Sequence, residues 1–231
     1  KDAEARYIAA NPKSQERFET ARKSMPGGNT RTVLHYAPFP LTLAGGEGCR
    51  VTDIDGHGYV DFLGEYSAGL YGHSHPRIKA ALEKTIAGGL TLGGPNMLEA
   101  ELASLMCARF PSLERVRFCN SGTEANLYAI SAARMTTGRS AVMVMNGAYH
   151  GGVFYFGEKK PPTNAPFPYV IARYNDIETT IALVEKHAHE LAAIVLEPMI
   201  AQGGIAADKD FLVALREAAT KHGIVLIFDE V

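Results

Sequence analysis

One short turn carries residues whose types and spacing suit phosphate binding. It consists of Ser121, Gly122 and Thr123. The turn follows the apolar run Val116–Cys119, which predicts a strand, and it precedes an Ala-rich segment with helical spacing. Glu124 lies three residues after Ser121, the spacing of a capping box at a helix start. Free amides, a helix dipole and hydroxyls favour an anion there. The pattern predicts either a phosphate-binding turn or a capped helix without a ligand.

Polar residues also follow three other apolar runs. They are Tyr149, His150, Glu197 and Asp229. If the runs are parallel strands of one sheet, their carboxyl ends meet at the same edge, where such sheets bind ligands. We therefore expect these side chains and the Ser121 turn to face one crevice.

Asp229 is the most informative of these residues, because it follows five apolar residues. A carboxylate there loses contact with water, and a cation or hydrogen-bond donor must offset that loss to keep it charged. One such cation is magnesium on a nucleotide. That site requires a phosphate loop with a Gly-Lys pair, which the sequence lacks. The other is the protonated ring nitrogen of pyridoxal 5'-phosphate, which also needs a phosphate cup and an aromatic ring on its face. The Ser121 turn and Tyr149 supply both.

Five motifs, in this order, resemble the class III (fold type I) pyridoxal-phosphate aminotransferases, over about residues 25 to 231. The motifs are Tyr71-Gly72-His73-Ser74-His75-Pro76, Asn120-Ser121-Gly122-Thr123-Glu124-Ala125-Asn126, Gly147-Ala148-Tyr149-His150-Gly151, Leu196-Glu197-Pro198-Met199 and Phe228-Asp229-Glu230-Val231. The resemblance implies a homodimeric enzyme with pyridoxal 5'-phosphate as cofactor. Its substrates would be a small amino acid and a 2-oxo acid.

The resemblance also implies roles for individual residues. The cofactor phosphate would lie on Ser121, Gly122 and Thr123, its ring would stack on Tyr149, and Val231 would cover the opposite ring face. The ring nitrogen would pair with Asp229. His150 and Glu197 would support these contacts from behind.

This sequence has no match for the family's lysine that forms a Schiff base with the cofactor. In the family it follows the D-E-V motif by some tens of residues, so the resemblance places it beyond Val231. Lys159 and Lys160 precede two prolines in a stretch typical of a surface loop, which disfavours them. We therefore interpret the sequence as an N-terminal half that contains no catalytic lysine and is inactive alone.

Arg31 suggests the substrate. The stretch from Asn29 to Leu41 is similar to that of β-phenylalanine (β-amino acid) aminotransferases, in which the matching arginine binds the substrate carboxylate. A guanidinium fork suits a carboxylate, which favours this role over the alternative of a solvated loop arginine. The expected reaction is transamination of a β-amino acid such as β-phenylalanine. A glutamate-1-semialdehyde-type aminomutase and a catalytically inactive cofactor-binding homologue remain as alternatives.

The order of elements predicts an α/β fold. Beyond Arg115, strands and helices alternate, which indicates a mostly parallel sheet covered by helices on both faces. The predicted domains are an N-terminal helix with a small antiparallel lobe, 1–70, and the first part of the cofactor-binding large domain, 71–231. The first two helices of the second domain should bury apolar stripes. These are Ile78, Leu82 and Ile86 in the first helix and Leu98, Leu102, Leu105 and Met106 in the second.

Composition excludes several classes of partner. The 231 residues are 46 % hydrophobic and carry a net charge of −2, with no basic block and no membrane-length apolar run, so we expect neither nucleic acid nor membrane binding. The thiols of Cys49, Cys107 and Cys119 are odd in number and far apart, which favours a reducing cytoplasm. No metal is expected, because His73 and His75 have no third ligand at suitable spacing.

Overall fold

The computed structural model describes residues 2–157, 163–200 and 203–231 of the chain. The chain divides into two compact units, Lys1–Asn96 and Met97–Val231. These units are defined by contacts within this chain and are not functional domains. The domain boundary expected between residues 70 and 71 therefore stays a prediction. No helix in the described part of the chain is long and apolar enough to cross a bilayer.

The first unit begins with helices α1 (Asp2–Ala10) and α2 (Pro12–Ala21). The second helix begins at Pro12, since proline suits the first helical position. The carboxylate of Asp55 supplies the cap of α2 from a distant turn, because it accepts the amides of Lys13 at 2.8 Å and Ser14 at 3.0 Å. A sequence-distant carboxylate thereby satisfies two of the amides that a helix start leaves unpaired.

A three-stranded antiparallel meander follows, as predicted. Its strands are β1 (Leu43–Glu47), β2 (Arg50–Asp53) and β3 (Gly58–Val60). Asp53 ends β2 with a side chain that is fully buried. Burial alone would raise its pKa, but hydrogen bonds from the His57 amide, the Tyr59 hydroxyl and the His57 ring lower it to about 2. The acid is therefore ionised and holds the turn between β2 and β3.

The two predicted linker helices form, but their burial was predicted wrongly. Helix α3 covers Pro76–Ala87 in the first unit, and α4 covers Met97–Arg109 in the second. Neither has a buried residue; Leu82 of α3 is 58 % exposed and Leu105 of α4 is 61 % exposed. Helical spacing fixes which face is apolar, and it does not supply a neighbour that covers that face. Among the described residues no such neighbour packs on these stripes.

The second unit contains a four-stranded parallel sheet. Its strands are β4 (Ala141–Met145), β5 (Tyr169–Ala172), β6 (Leu191–Leu196) and β9 (Val225–Phe228), in the spatial order β5-β4-β6-β9. A two-stranded hairpin that was not predicted, β7 (Met199–Ile200) and β8 (Ile205–Ala206), lies between β6 and β9 in the chain. Every residue of β4 and β6 is buried, as expected for a sheet covered on both faces.

Helices cover both faces of this sheet, which confirms the predicted fold class. The helices are α5 (Gly122–Thr137), α6 (Ile177–His187) and α7 (Lys209–His222). On one face, Val184 of α6 and Phe211 and Leu215 of α7 pack against alternate residues of β4 and β6. On the other face, Ile130 and Ala133 of α5 pack against the remaining residues. The sheet is thereby fixed as a rigid platform whose carboxyl ends carry the residues described next.

The strand predicted at Val116–Cys119 does not form; these residues are irregular in the structure. Strand geometry requires a neighbour that shares a hydrogen-bond ladder. Within the described chain no strand pairs with this run, and Phe118 is 37 % exposed. The run therefore enters α5 as extended backbone, and the helix start does not depend on a strand before it.

Candidate functional site

The predicted turn opens α5 with its amides outward. Ser121 is the N-cap in extended backbone, and its Oγ accepts the amide of Glu124 at 3.2 Å. The carboxylate of Glu124 accepts a hydrogen bond from the amide of Asn120 at 2.8 Å. In a standard capping box it would accept from the N-cap amide, which is one residue later. This amide and the Asn120 side chain lower the pKa of Glu124. The first helical amides belong to Gly122 and Thr123, where the helix dipole favours an anion.

A glycine pair from a distant loop braces Thr123. The amide of Gly152 donates to Thr123 Oγ1 at 3.1 Å. Gly151 has φ +118°, and a Cβ on it would lie 2.2 Å from the same oxygen. Only glycine permits so close an approach in this backbone conformation. Because the hydroxyls of Ser121 and Thr123 both act as acceptors here, each retains its proton for donation to a ligand.

The loop after β4 forms a tight hairpin that carries Tyr149 and His150. The amide of His150 donates to Phe154 O at 2.8 Å, and Tyr149 is bridged to Tyr155. The Tyr149 ring is 38 % exposed and lies edge-on to the Tyr155 ring, with ring centroids 6.1 Å apart. His150 points inward and its side chain is 1 % exposed. The hairpin thus offers one ring to a ligand and buries the other.

Glu197 follows β6 and supports this hairpin. Its Oε2 accepts the amide of Tyr149 at 3.2 Å, and its backbone carbonyl accepts the hydroxyl of Tyr174 at 2.8 Å. The residue is only 7 % exposed. Glu197 therefore holds the backbone of Tyr149, and its role toward a cofactor stays a prediction.

Asp229 follows β9, where its amide continues the ladder by donating to Leu196 O at 2.9 Å. Its side chain is 4 % exposed. Oδ2 accepts from His150 Nδ1 at 2.8 Å and from Asn126 Nδ2 at 2.8 Å, and Oδ1 accepts the amide of Val231 at 3.1 Å. Burial by itself would raise the pKa of this carboxyl, but these hydrogen bonds outweigh burial and hold its pKa below the usual range.

Asn126 is a site residue for which the sequence analysis gave no role. It lies on α5, is 5 % exposed, and donates to both Asp229 Oδ2 and the His150 carbonyl. A buried asparagine needs hydrogen-bond partners. An asparagine among the alanines of a helix that packs on the sheet was therefore the available signal. Its partner could not be read, because Asp229 is 103 residues away in sequence.

All eight residues predicted to bind the cofactor lie in the second unit, and Val231, whose amide donates to Asp229, also lies against Gly122. A Cβ on Gly122 would be 2.8 Å from Val231 Cγ1. The anion cup, the aromatic ring and the acid are therefore linked through α5, the hairpin after β4 and the end of β9. The roles predicted for these residues toward a cofactor stay predictions.

Arg31 lies in the first unit, between the short helical turns at 26–28 and 32–34. Its guanidinium forms an ion pair with Glu65, and both side chains are about half exposed. Glu65 and the next two residues all have positive φ, and the Tyr66 hydroxyl donates to Val33 O at 3.2 Å. Arg31 is thus oriented by a second loop, which the sequence did not reveal.

Together, the fold and the site define a class of protein. The carboxyl edge of an open parallel sheet carries a capped helix start with two hydroxyls, a partly exposed aromatic ring and a buried acid. These parts suit a flat, phosphorylated ring with a cationic nitrogen.

The comparison with protein families agrees with that class. The family model described as Aminotransferase class-III matches residues 34–231, so the chain belongs to this family. The solved structures it resembles are pyridoxal-phosphate enzymes of fold type I, the fold expected from the sequence.

Individual relatives extend the comparison. The chain is 52 % identical to a β-phenylalanine transaminase from Variovorax paradoxus over all of its own length and 53 % of that protein. It is 40 % identical to a glutamate-1-semialdehyde 2,1-aminomutase from Chlorobaculum tepidum, over 95 % of this chain and 55 % of that one. The chain spans about half the length of the curated relatives it matches.

Solved structures show the same relation. A β-phenylalanine aminotransferase from Variovorax paradoxus superimposes with a TM-score of 0.93 and 50 % identity, covering 98 % of this chain and 53 % of that one. A transaminase with bound pyridoxal phosphate superimposes with a TM-score of 0.86 and 33 % identity, covering 94 % and 55 %.

The brace on Thr123 can be tested with two neighbouring glycines. Gly151→Ala should destabilise the protein by about 1–3 kcal/mol, because its φ is unfavourable for alanine and the Cβ collides with Thr123. Gly152→Ala is the matched control, since nothing lies within 4 Å of its Cβ. Thermal melting should separate the two variants by about 2–4 °C per kcal/mol. Equal melting temperatures would contradict the assignment of Gly151 as the brace.

Proposed function

We propose that the protein is a pyridoxal 5'-phosphate-dependent aminotransferase that transfers the amino group of a β-amino acid, such as β-phenylalanine, to a 2-oxo acid. The observation that carries this proposal is the ionised, hydrogen-bonded Asp229 tied through α5 to an anion-binding helix start. Family membership and the 52 % identity to a β-phenylalanine transaminase support the reaction and substrate class.

The chain's residues fit the cofactor. Ser121 and Thr123 retain hydroxyl protons, and Gly122 and Thr123 supply the first amides of α5, so the cup suits a phosphate. A Cβ on Gly122 or Gly151 would fill space beside this cup. We assign Tyr149 to one ring face, Val231 to the other and Asp229 to the ring nitrogen. When bound, the cofactor supplies an electron sink for the substrate carbon next to the amine.

The protein's part in the reaction is to hold charge and orientation. Asp229 keeps a negative charge beside the position of the ring nitrogen and so favours a proton there, through a contact of about 1.5–3 kcal/mol. His150 and Asn126 hold that carboxylate, and Glu197 holds the backbone of Tyr149. Because the acid is buried, water screens its charge little.

The lysine that anchors the cofactor is assigned to the part of the family's length that this chain does not span, beyond Val231. Lys159 and Lys160, disfavoured from the sequence, lie outside the described residues. On this proposal the chain by itself holds the cofactor's phosphate and ring without a covalent bond and does not transaminate.

The aminomutase alternative is the weaker of the two activities. The aminomutase relative is 40 % identical, against 52 % for the β-phenylalanine transaminase. An inactive homologue that still binds the cofactor would keep the same ionised acid for the ring nitrogen, so the turnover assay below separates it from the enzyme. The higher identity to the transaminase supports the aminotransferase over the aminomutase.

We further propose a cytoplasmic homodimer. The stretch from the end of the meander to the first residue of α4 exposes large apolar side chains, among them Phe62 at 95 %, Leu70 at 83 % and Met97 at 84 %. Apolar surface of this extent is typical of an interface, and a second copy is the occupant that the family resemblance implies. The three free thiols support a reducing compartment.

A turnover assay tests the proposed activity. The protein at the full length of its relatives, given β-phenylalanine and 2-oxoglutarate, should form glutamate. Without the 2-oxo acid, amino transfer should stop after one equivalent per site, whereas an aminomutase would need no acceptor.

Asp229→Asn should lower the rate on the order of 100-fold. Asp176→Asn makes the same chemical change at the N-cap of α6, where Asp176 accepts the Thr179 amide at 3.1 Å and asparagine caps equally well, so it is the control. Absence of glutamate from the wild type would contradict the proposal.

The substrate role of Arg31 gives a separate prediction. Arg31→Ala should raise KM for β-phenylalanine about 10- to 100-fold with a smaller change in kcat, because a charge-assisted contact with the carboxylate is lost. Glu65→Gln should lower KM, because the Glu65 carboxylate pairs with the Arg31 guanidinium and so competes with the substrate carboxylate. Arg22→Ala, an exposed arginine of the same unit, is the control. An unchanged KM in Arg31→Ala would remove Arg31 from the site and leave the proposed reaction intact.

A further inference from the structure

The two oxygens of the Asp229 carboxylate are bound differently. Oδ2 accepts from two side chains, His150 Nδ1 and Asn126 Nδ2, each at 2.8 Å. Oδ1 accepts the amide of Val231 at 3.1 Å. A carboxylate oxygen offers about two lone-pair sites, so Oδ2 is saturated while Oδ1 retains capacity for one more donor. Oδ1 is therefore the oxygen of this carboxylate that has capacity left for a ligand's donor.

From this asymmetry we propose that Asn126 is a positioning residue for the cofactor's ring nitrogen. It holds Oδ2 of Asp229 so that Oδ1 faces the nitrogen. The inference rests on the proposed function, because it concerns the same cofactor. It goes beyond that function because Asn126 would orient the acid without contacting the cofactor itself.

The bonds of Asn126 explain why this side chain suits the task. One Nδ2 hydrogen goes to Asp229 Oδ2, and the other goes to the His150 carbonyl at 3.2 Å. The amide thereby fixes the acid and the hairpin that carries Tyr149 and His150. Asn126 also lies on α5, whose first turn forms the anion cup. A single rigid helix then sets the spacing between the phosphate contacts and the acid.

His150 cannot replace Asn126 in this role. An ionised carboxylate only accepts hydrogen bonds, so Nδ1 of His150 carries the proton in their contact. Nε2 of the same ring is buried and has no partner among the described residues. The imidazole is therefore anchored at one nitrogen only. Without Asn126, the Asp229 carboxylate keeps only the Val231 amide on Oδ1 and the His150 ring on Oδ2, so the donor that ties its orientation to α5 is lost.

The test compares two ligands that differ only at the ring nitrogen. Pyridoxamine 5'-phosphate has this nitrogen, and its 1-deaza analogue has carbon in its place. Neither needs the anchoring lysine for binding. Calorimetry with the wild-type protein should give at least about tenfold tighter binding of pyridoxamine phosphate, the gain of a charge-assisted hydrogen bond.

In Asn126→Leu, which keeps the volume but removes the donor, this preference should fall to within about threefold. Affinity for the deaza analogue should stay as in the wild type, because the anion cup is unchanged. Thr180→Val is the matched control. Thr180 lies on α6, is fully buried, and its hydroxyl donates to Arg173 O at 2.8 Å; it makes no contact with Asp229. That variant should lose stability and keep the full preference.

The outcomes separate the two proposals. If the wild type binds neither ligand, the proposed cofactor is wrong. If the wild type discriminates and Asn126→Leu discriminates equally well, the positioning role is wrong and the proposed function stands. Should Asn126→Leu fail to fold, the smaller Asn126→Ala removes the same donor without added volume, so the preference should again fall.

Discussion

The structure depends on the need to keep one buried carboxylate hydrogen-bonded. Asp229 lies at the end of β9 with 4 % of its side chain exposed, where an unpaired charge would be strongly unfavourable. Three donors remove that cost, and they come from α5, from the hairpin after β4 and from the residue two positions on. Two of them are 103 and 79 residues away in sequence. Satisfying this acid therefore brings the separate parts of the site together.

The parallel sheet makes this convergence possible. Strands β4, β6 and β9 are neighbours and run in the same direction, so the residues that follow them meet at one edge. Burial on both faces leaves the sheet little freedom to shift. Helix α5 packs on one face and carries both the anion cup and Asn126. Spacing between the cup and the acid is thus set by core packing, far from the solvent.

The sequence predicted those features that local patterns determine. The cap at Ser121, the start of α5 at Gly122 and the alternation of β4 to β9 with helices all follow from short-range spacing. The need for compensation at Asp229 was also predicted, because five apolar residues precede it. Here the compensating groups are neutral donors and a histidine, which burial alone could not specify.

Features that depend on distant partners were not predictable. The contact of Asn126 with Asp229, the pairing of Arg31 with Glu65 and the cap that Asp55 gives to α2 each join residues far apart in the chain. The strand at Val116–Cys119 was predicted wrongly for the same reason, since its formation depends on a neighbour rather than on its own residues. Burial of the stripes on α3 and α4 likewise requires a covering surface, which periodicity cannot supply.

The central claim is that Asp229 is a buried acid that its donors keep ionised. A carbon NMR titration of the aspartate carboxyls, with Asp229 assigned by comparison with Asp229→Asn, tests this claim directly in the protein without cofactor. Hydrogen bonds from His150, Asn126 and the Val231 amide should keep its pKa below the ordinary value of about 3.9, so its signal should stay that of a carboxylate from neutral pH to below that value. A signal that titrates above that value would mean that burial outweighs the donors, and the account of the site would be wrong.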